Sequence, residues 1–213
     1  PCPILHGIRG DNRDATVNVA DNIESEPVES SQVFVTNQGT DVHLQESRID
    51  NIDENSAYKI PCVVSSGPKT KEGGHVFFEV EGVESDTNLS VAAFEPTKNF
   101  RDHVRNLKEG DRLTICGGIK DGTLKLEKFR VDELNTTELQ NPTCEDCGNS
   151  MSSMGSNQGY RCNSCSKTEP SKVKVEVERH IETGWYEVPP CARRHISKPL
   201  IRMDVEEGTN PMT

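Results

Sequence analysis

The sequence predicts a multidomain protein of α+β and β structure, built from an N-terminal α+β segment, a small barrel and a metal-binding ribbon. Three observations support this fold class: a helix pattern followed by a strand pattern, five short β-rich runs, and two Cys-x-x-Cys pairs. Only 32% of the residues are hydrophobic and 5% are aromatic, which favours several small cores over one large core. We predict domains at residues 1–52, 53–140 and 141–213.

The first domain begins with a predicted helix at residues 13–22, where apolar side chains recur at helical spacing. A predicted strand follows at residues 32–36. One helix and one strand cannot enclose a core, so we expect the rest of this α+β unit to lie upstream in a longer polypeptide. The first residue, Pro1, fits this expectation because the sequence does not begin with Met.

The second domain contains five β-rich runs separated by turn signals, which we interpret as strands. They lie at residues 58–64, 75–80, 88–94, 112–117 and 123–131. A helix is predicted at residues 98–107, between the third and fourth runs, because Phe100, Val104 and Leu107 recur at helical spacing. Three strands, a helix and two strands is the order of the five-stranded OB-fold barrel, which we therefore predict.

Two adjacent aromatic residues, Phe77 and Phe78, lie in the second predicted strand. Successive side chains of a strand point to opposite faces, so one of the two belongs to the core and the other is exposed or covered. An exposed phenylalanine on such a barrel would offer a platform on which a nucleic-acid base can stack. Both alternatives for the outward-facing ring stay open at this point.

The third domain contains two closely spaced cysteine pairs, Cys144 with Cys147 and Cys162 with Cys165. This spacing lets two tight turns present four thiolates to one tetrahedral Zn²⁺ ion, as in a zinc ribbon. Disulfides within such pairs would be strained, and a redox pair normally accompanies a βαβ pattern that this segment lacks. Four thiolates leave no open coordination position, so we predict a structural zinc.

The chain carries a formal net charge of −11, so its mean field does not attract polyanions. Any contact with nucleic acid must therefore come from local groups of cations. The last predicted hairpin of the barrel contains Lys120, Lys125 and Lys128, and the segment after the ribbon contains Arg193, Arg194, His195, Lys198 and Arg202. Each group is a candidate phosphate-binding site, although the hairpin equally fits a charged solvent face and the later segment fits a solvated basic turn.

No apolar run approaches the roughly 20 residues that a membrane span requires, so we expect a soluble protein without a membrane partner. The cysteines outside the two pairs, Cys2, Cys62, Cys116 and Cys191, are scattered along the chain, and two of them lie in strand-like runs. This distribution fits a reduced, cytoplasmic protein better than a secreted disulfide framework.

Several stretches of the sequence resemble a known family. They are Gly7-Ile-Arg-Gly-Asp11, Ser25-Glu-Pro-Val28, the run from Phe34 to Asp41 and the run from Ala192 to Leu200. Together with the barrel and the ribbon, they resemble the archaeal agmatidine synthetases of isoleucine tRNA. The resemblance implies an enzyme that uses ATP to attach agmatine to C2 of the wobble cytidine in the isoleucine tRNA that reads AUA.

The family's domain order is a kinase-like domain, a ferredoxin-like domain, an OB-fold and a zinc ribbon. The resemblance therefore implies that residues 1–52 are the C-terminal part of the ferredoxin-like domain. It also implies that ATP, Mg²⁺ and the catalytic residues belong to a region upstream of this chain. Isoleucine tRNA and agmatine are the implied partners, and DNA is not expected.

The resemblance also implies roles for particular residues. Agmatine carries a guanidinium group and an amine, for which carboxylates and amide oxygens are suitable partners. A nearby cation would stabilise charge on the transferred phosphate. The candidates for this agmatine side of the site are Arg9, Asp11, Asn37, Gln38 and Asp41. The hairpin lysines and the basic segment after the ribbon become candidate tRNA contacts.

Two other interpretations remain open at the level of sequence. A non-enzymatic nucleic-acid adaptor with an OB-fold and a zinc ribbon would explain residues 57–203 equally well. A metabolite-binding barrel with a ribbon would instead contain an apolar tunnel and lack a basic segment.

Overall fold

The computed structural model describes residues 7–24 and 26–203, so Cys2 and Ser25 lie outside the described residues. Within them, the α-helices are α1 (Arg13–Asp21) and α2 (Phe100–Arg105). The strands are β1 (Gln45–Glu46), β2 (Ala57–Thr70), β3 (Val76–Gly82), β4 (Ser85–Ala93), β5 (Arg112–Lys120), β6 (Thr123–Glu133), β7 (Thr137–Gln140), β8 (Ser152–Ser153), β9 (Tyr160–Arg161), β10 (Thr168–Glu169), β11 (Val173–Glu176) and β12 (Gly184–Glu187). No helix in this part of the chain is long and apolar enough to cross a membrane.

Strands β2 to β6 close into a barrel through a ring of pairings. β2 pairs antiparallel with β3, β3 pairs antiparallel with β4, and β4 runs parallel to β6. β6 pairs antiparallel with β5, and β5 pairs back onto β2. A closed ring removes the unpaired edges that an open sheet would expose.

Apolar side chains fill the inside of the barrel. Ile60, Val91 and Phe129 are buried there with residues from every strand of the ring. α2 buries Phe100 and Val104 against the same core. Each such side chain contributes about 1.5–3 kcal/mol of hydrophobic stabilisation, so the barrel is the main stabilising core of the molecule.

The β-rich runs predicted from sequence each overlap a strand of this barrel, and the predicted helix at 98–107 contains α2. α2 is shorter than the predicted helix because Lys98 adopts a φ of 49°, which lies outside the right-handed helical region. Phe78 lies in the core at 2% exposure, whereas Phe77 faces outward and is partly exposed. Strand alternation therefore predicted one core and one outer ring correctly.

The N-terminal segment is much less buried than the barrel. The side-chain oxygen of Asn12 caps α1 by accepting hydrogen bonds from the backbone N–H groups of Asp14 (2.8 Å) and Ala15 (3.1 Å). No residue of α1 is buried. The predicted strand at 32–36 is wrong, since these residues form no strand and Phe34 is 72% exposed. An apolar run does not form a strand where the described part of the chain provides no neighbouring strand.

The ribbon is inserted between two paired strands of the barrel sheet, β6 and β12. After β6 the chain forms β7, then a small sheet of β8, β9 and β10, and then β11, which pairs antiparallel with β7 as a stalk. The chain returns as β12, which pairs antiparallel with β6 so that Trp185 lies opposite Arg130. The segment after β12 therefore lies against the barrel.

A buried ion pair joins the stalk to the barrel. Arg179 donates hydrogen bonds to both carboxylate oxygens of Asp111, at 2.6 and 2.7 Å. It also donates to the backbone oxygens of Asn135 (2.7 Å) and Asn106 (2.9 Å). Asp111 is fully buried, so these bonds replace the water that both charges lose. The pair fixes the point from which the ribbon departs.

Candidate functional site

The structure brings the four cysteines of the ribbon together. The Sγ atoms of Cys144, Cys147, Cys162 and Cys165 all lie within 4.8 Å of one another. Thiolates around a tetrahedral zinc ion, with Zn–S bonds of roughly 2.3 Å, would be separated by about 3.8 Å. The observed arrangement fits zinc, and the four cysteines form the metal site of a zinc ribbon.

Both cysteine pairs lie on the same kind of tight turn. The N–H group of Gly148 donates to the carbonyl oxygen of Cys144 at 2.8 Å, and that of Ser166 donates to the carbonyl oxygen of Cys162 at 3.0 Å. Gly148 and Ser166 have φ values of 71° and 60°. Glycine adopts this left-handed conformation readily and serine does not. The sequence therefore indicated the turn at Gly148 but not the turn at Ser166.

The ribbon has little else to hold it together. Its buried cluster consists of Cys144, Cys162 and Met151, with Tyr160 partly packed against them. A core this small does not fold by hydrophobic burial alone, so metal binding supplies the stability of the ribbon. Four thiolates also leave no coordination position for a substrate, which makes this zinc structural.

The buried cysteines of the barrel have a different character. Cys62 and Cys116 lie in the barrel wall, where burial raises the pKa of the Cys116 thiol to about 12 and also raises the pKa of Cys62. Both thiols stay protonated at neutral pH and behave as small apolar side chains.

Two distant segments that the sequence singled out pack against each other. The loop of residues 37–43 contacts the segment of residues 193–203, which we call the basic tail. The N–H group of Gly39 donates to the carbonyl oxygen of His195 at 2.6 Å. The imidazole rings of His43 and His195 lie edge to face, 5.6 Å apart. Two of the stretches that carry the family resemblance, residues 34–41 and 192–200, therefore lie against each other.

Asp41 and Lys128 were predicted to contact agmatine and tRNA, respectively, and they form an ion pair with each other. The Nζ atom of Lys128 lies 2.7 and 2.8 Å from the carboxylate oxygens of Asp41 and 3.2 Å from the carbonyl oxygen of Lys198. It also lies 5.5 Å from the ring centroid of Trp185. The Lys128 side chain is only 1% exposed, so its charge is not presented to a phosphate.

Asp11 is paired with the basic tail. Its carboxylate oxygens accept hydrogen bonds from Nε (2.7 Å) and Nη2 (2.5 Å) of Arg202, and Nζ of Lys198 lies 3.8 Å away. The hydrogen bonds from Arg202 hold the pKa of Asp11 below its usual value. Arg202 also donates to the carbonyl oxygen of Gly39 at 3.4 Å, and so it ties the tail to the N-terminal segment.

The other arginines of the basic tail also have carboxylate partners. Nη2 of Arg193 lies 2.8 Å from Oε1 of Glu187, and Nε of Arg194 donates to Oε1 of Glu127. The Glu127 side chain is 5% exposed, so its charge depends on this arginine. The basic tail is consequently an internal network of ion pairs, in which only His195 of the predicted residues is both exposed and outside an ion pair among the described residues.

Other predicted residues are free of such pairs. Arg9, Asn37 and Gln38 are exposed, and their side chains have no hydrogen-bond partner within residues 7–24 and 26–203. Lys120 and Lys125 lie on the β5–β6 hairpin without a carboxylate partner in that part of the chain.

Ion pairing separates the cations of the described residues into two groups. Sixteen of the 24 lysine and arginine side chains pair with a carboxylate. The others are Arg9, Lys69, Lys71, Lys120, Lys125, Arg161, Lys172 and Lys174. In an acidic protein, these are the cations that remain for a polyanion. The sequence argument missed those at the end of β2 and in the ribbon, because they form no dense basic run.

Models of known protein domains match two parts of the chain, one at each side of the barrel. A family model described as the TiaS C-terminal zinc ribbon domain matches residues 141–181, and one described as the TiaS FLD domain matches residues 1–43. The isoleucine-tRNA 2-agmatinylcytidine synthetases TiaS of Haloquadratum walsbyi and Archaeoglobus fulgidus are 41% and 43% identical to the chain. These alignments cover 99% and 97% of the chain, but 54% and 49% of the relatives.

Solved structures agree with this result. A crystal structure of TiaS in complex with its isoleucine tRNA and ATP is 41% identical, with a TM-score of 0.77 over 97% of this chain and 48% of that chain. A complex of TiaS with the same tRNA, AMPCPP and agmatine is 39% identical, with a TM-score of 0.75 over 97% of this chain and 48% of that chain.

Fold and site together define a sheet-rich α+β protein that carries a zinc ribbon with four cysteine ligands. Over nearly its whole length the chain is similar to isoleucine-tRNA 2-agmatinylcytidine synthetases, abbreviated TiaS. It spans about half the length of the curated relatives that it matches.

Proposed function

We propose that this chain supplies the agmatine-side and tRNA-binding part of a tRNA-modifying ligase. The ligase uses ATP to attach agmatine to C2 of the wobble cytidine of the AUA-decoding isoleucine tRNA. The observation that carries the proposal is similarity over 97% of the chain, at 39% to 41% identity, to proteins solved with isoleucine tRNA, ATP and an ATP analogue with agmatine. ATP, Mg²⁺ and the catalytic residues then belong to the part of the relatives that this chain does not span, and the protein acts in the cytoplasm.

The proposal assigns residues 1–52 to a ferredoxin-like domain, 53–140 to an OB-fold, and 141–213 to the zinc ribbon and its basic extension. The ring of pairings among β2 to β6, with α2 before β5, supports the OB-fold assignment because this is the order of that fold. The pairing of β12 with β6 adds the residues after the ribbon to the barrel surface.

The agmatine side of the proposed site is the loop that contains Asn37 and Gln38. Their amide groups are exposed, and their oxygens can accept hydrogen bonds from a guanidinium group. Asp11 and Asp41 are already neutralised by cations, so they position this loop instead of binding the ligand directly. Arg9 is exposed and remains the candidate for contact with a phosphate.

The tRNA contacts of the proposed function come from cations that are at least partly exposed and have no carboxylate partner. On the barrel hairpin these are Lys120 and Lys125, and in the ribbon they are Arg161, Lys172 and Lys174. Phosphate contacts require cations whose charge is not already balanced within the protein. The basic tail then supports the interface by joining the loop of residues 37–43 to the barrel.

A non-enzymatic adaptor is the weaker alternative. It accounts for the barrel and the ribbon, but not for the match of residues 1–43 to the TiaS FLD domain. A metabolite-binding barrel would need an interior tunnel, whereas side chains from all strands of the ring fill this interior.

A ligation assay tests the proposed function. The chain is fused to the region of the Archaeoglobus fulgidus protein that the match does not cover, and incorporation of radiolabelled agmatine into an isoleucine tRNA transcript is followed in the presence of ATP. We expect incorporation, and we expect Asn37→Ala or Gln38→Ala to raise the KM for agmatine about tenfold because a hydrogen bond to a charged group is lost. Asn51→Ala, an exposed amide at the edge of the barrel, is the matched control. A fusion that binds tRNA without incorporating agmatine would contradict the proposal.

A further inference from the structure

A row of side chains crosses the outer face of the barrel. Phe77 on β3 lies opposite Ala92 on β4, and Ala92 lies opposite Lys125 on β6. Residues directly opposite each other in a sheet share a face, so these side chains are neighbours. Ala92 is fully buried although it belongs to the outer face, which shows that larger side chains cover it.

Two phenylalanine rings form the centre of this surface. Phe94 directly follows β4, and its ring centroid lies 6.1 Å from that of Phe77 in an edge-to-face arrangement. The ring of His75 lies 5.3 Å from that of Phe94, and its Nδ1 atom accepts a hydrogen bond from the backbone N–H group of Glu95 at 3.0 Å. Both phenylalanines remain partly exposed. The rings therefore present an ordered aromatic surface to solvent.

Lysines without carboxylate partners in the described part of the chain surround the two rings. The Nζ atom of Lys71 lies 4.2 Å from the ring centroid of Phe77, and that of Lys125 lies 5.6 Å from the ring centroid of Phe94. Lys69 lies opposite Phe77 in the β2–β3 pairing. A contact between an ammonium group and a ring is weak at an exposed site, so these lysines can leave the ring faces easily.

None of these lysines forms an ion pair with a carboxylate of the described residues. Glu95 pairs instead with Lys98 at 3.2 Å and with Arg101 at 3.6 Å. Glu79 follows Phe77 by two residues on the outer face of β3 and would repel a phosphate, so it limits the surface along that strand. The cationic part of the surface extends from the end of β2 to β6.

We propose that this surface binds an unpaired nucleotide segment of RNA. The surface, which we call the stacking face, comprises Lys69, Lys71, His75, Phe77, Phe94 and Lys125. Bases stack on the two phenylalanine rings and replace the ammonium groups that now lie over them, and the released lysines contact the adjacent phosphates. The aromatic rings match bases and the unpaired cations match phosphates, so the chemistry of the surface is complementary to single-stranded RNA. In small barrels of this strand order, the face of the second and third strands commonly binds oligonucleotides.

The inference rests on the proposed function, in which the chain binds RNA, and adds a site for unpaired nucleotides. Fluorescence anisotropy of a labelled short oligoadenylate tests it with the 213-residue chain. Phe77→Leu and Phe94→Leu keep the apolar cover over Ala92 but remove the aromatic faces, so each should weaken binding about tenfold. Phe34→Leu changes a ring outside the stacking face and serves as the matched control.

A salt titration tests the role of the lysines. Lys71→Ala should reduce the dependence of the logarithm of the affinity on the logarithm of the salt concentration by about 0.7, the value for one contact with single-stranded nucleic acid. Lys59→Ala removes a cation that is paired with Glu46 at 3.1 Å and should leave this slope unchanged. Equal slopes for Lys71→Ala and wild type would show that Lys71 does not contact a phosphate and does not belong to the stacking face.

Binding of the isoleucine tRNA transcript is measured in parallel, so that the inference and the proposed function can fail separately. The chain could bind the transcript but fail to bind oligoadenylate, or bind oligoadenylate equally well as wild type, Phe77→Leu and Phe94→Leu. Either result would contradict the inference about the stacking face and leave the proposed function intact. If neither RNA is bound at low salt, both are overturned.

Discussion

The basic tail and the stacking face both concentrate cations, but the fold uses these cations in opposite ways. In the tail, Arg193, Arg194 and Arg202 each lie against a carboxylate of the same molecule. On the stacking face, Lys71 and Lys125 lie over aromatic rings without a carboxylate partner among the described residues. In a chain with a net charge of −11, the density of basic residues in the sequence therefore does not identify the surface that is free to bind a polyanion.

The two regions differ because of where the acidic residues fold. β6 and β12 place Glu127 and Glu187 beside the tail, and the N-terminal segment adds Asp11 and Asp41. Glu127 is buried, and a buried carboxylate is unstable without a cation, so Arg194 stabilises the fold instead of remaining available to a ligand. The outer face of β3 and β4 places aromatic rings beside its lysines, which leaves their charge available to a ligand.

The largest expected change follows removal of zinc. Arg161, one of the unpaired cations among the described residues of the ribbon, directly precedes the ligand Cys162. Because the buried cluster of the ribbon is small, chelation should unfold the ribbon and weaken tRNA binding, while the circular-dichroism signal of the barrel is retained. Cys162→Ser should reproduce the effect, and Cys191→Ser, at an exposed cysteine outside the metal site, should not. Simultaneous loss of the barrel signal would show that ribbon and barrel share one cooperative core.

A smaller effect is expected at two lysines of the same strand, Lys125 and Lys128. Lys128→Ala leaves Asp41 without its buried partner and should reduce the free energy of unfolding by about 3 kcal/mol. Lys125→Ala should change it by less than about 0.5 kcal/mol, since this side chain forms no ion pair within the described residues. Urea unfolding followed by Trp185 fluorescence measures both. Equal losses would contradict the distinction between structural and available cations.

Arg194→Ala should have an intermediate effect on stability and little direct effect on RNA binding. It leaves Glu127 buried without its cation, which costs about 1–3 kcal/mol in the free energy of unfolding. The salt dependence of tRNA affinity should stay at the wild-type value for the folded fraction, because this arginine does not reach a phosphate. A clear reduction of that salt dependence would show that Arg194 contacts the RNA.

The smallest effect concerns the pair of Asp11 and Arg202, which is more exposed. Arg202 lowers the pKa of Asp11 in the folded state, so the pair stabilises the fold above the unfolded pKa of about 3.9. This contribution is lost as the pH falls through the lower, folded pKa. The NMR signal of the Arg202 Nε–H group should therefore shift below about pH 4, and Asp11→Asn should abolish the shift. A titration that is identical in Asp11→Asn would exclude this pair as its origin.

Local rules were sufficient for much of the fold and for the metal site. Strand alternation separated Phe78 from Phe77, and the cysteine spacing predicted ligands that the structure brings within 4.8 Å. Helical spacing predicted α2, although the backbone conformation of Lys98 shortened it. The apolar run around Phe34 was misjudged because a strand also needs a neighbour, which its own sequence does not reveal.

Long-range pairing could not be read from local patterns. Lys128 and Asp41 are 87 residues apart, and Arg202 and Asp11 are 191 residues apart. No periodicity links such positions, so each charge appeared available when the sequence was considered alone. The stacking face was equally hidden, because its lysines and rings come from the ends of β2 and β4, from β3 and from β6. The alternation argument identified only one of its rings as an outward-facing candidate.

The salt dependence of isoleucine tRNA binding by two variants tests the central claim most directly. One variant combines Lys71→Ala with Lys125→Ala, and the other is Arg202→Ala. The account predicts that the double variant lowers the slope of log affinity against log salt by between about 1.4 and 1.8, while Arg202→Ala leaves the slope unchanged. The opposite result, a lower slope for Arg202→Ala and a wild-type slope for the lysine variant, would show that the basic tail contacts the RNA and that the stacking face does not.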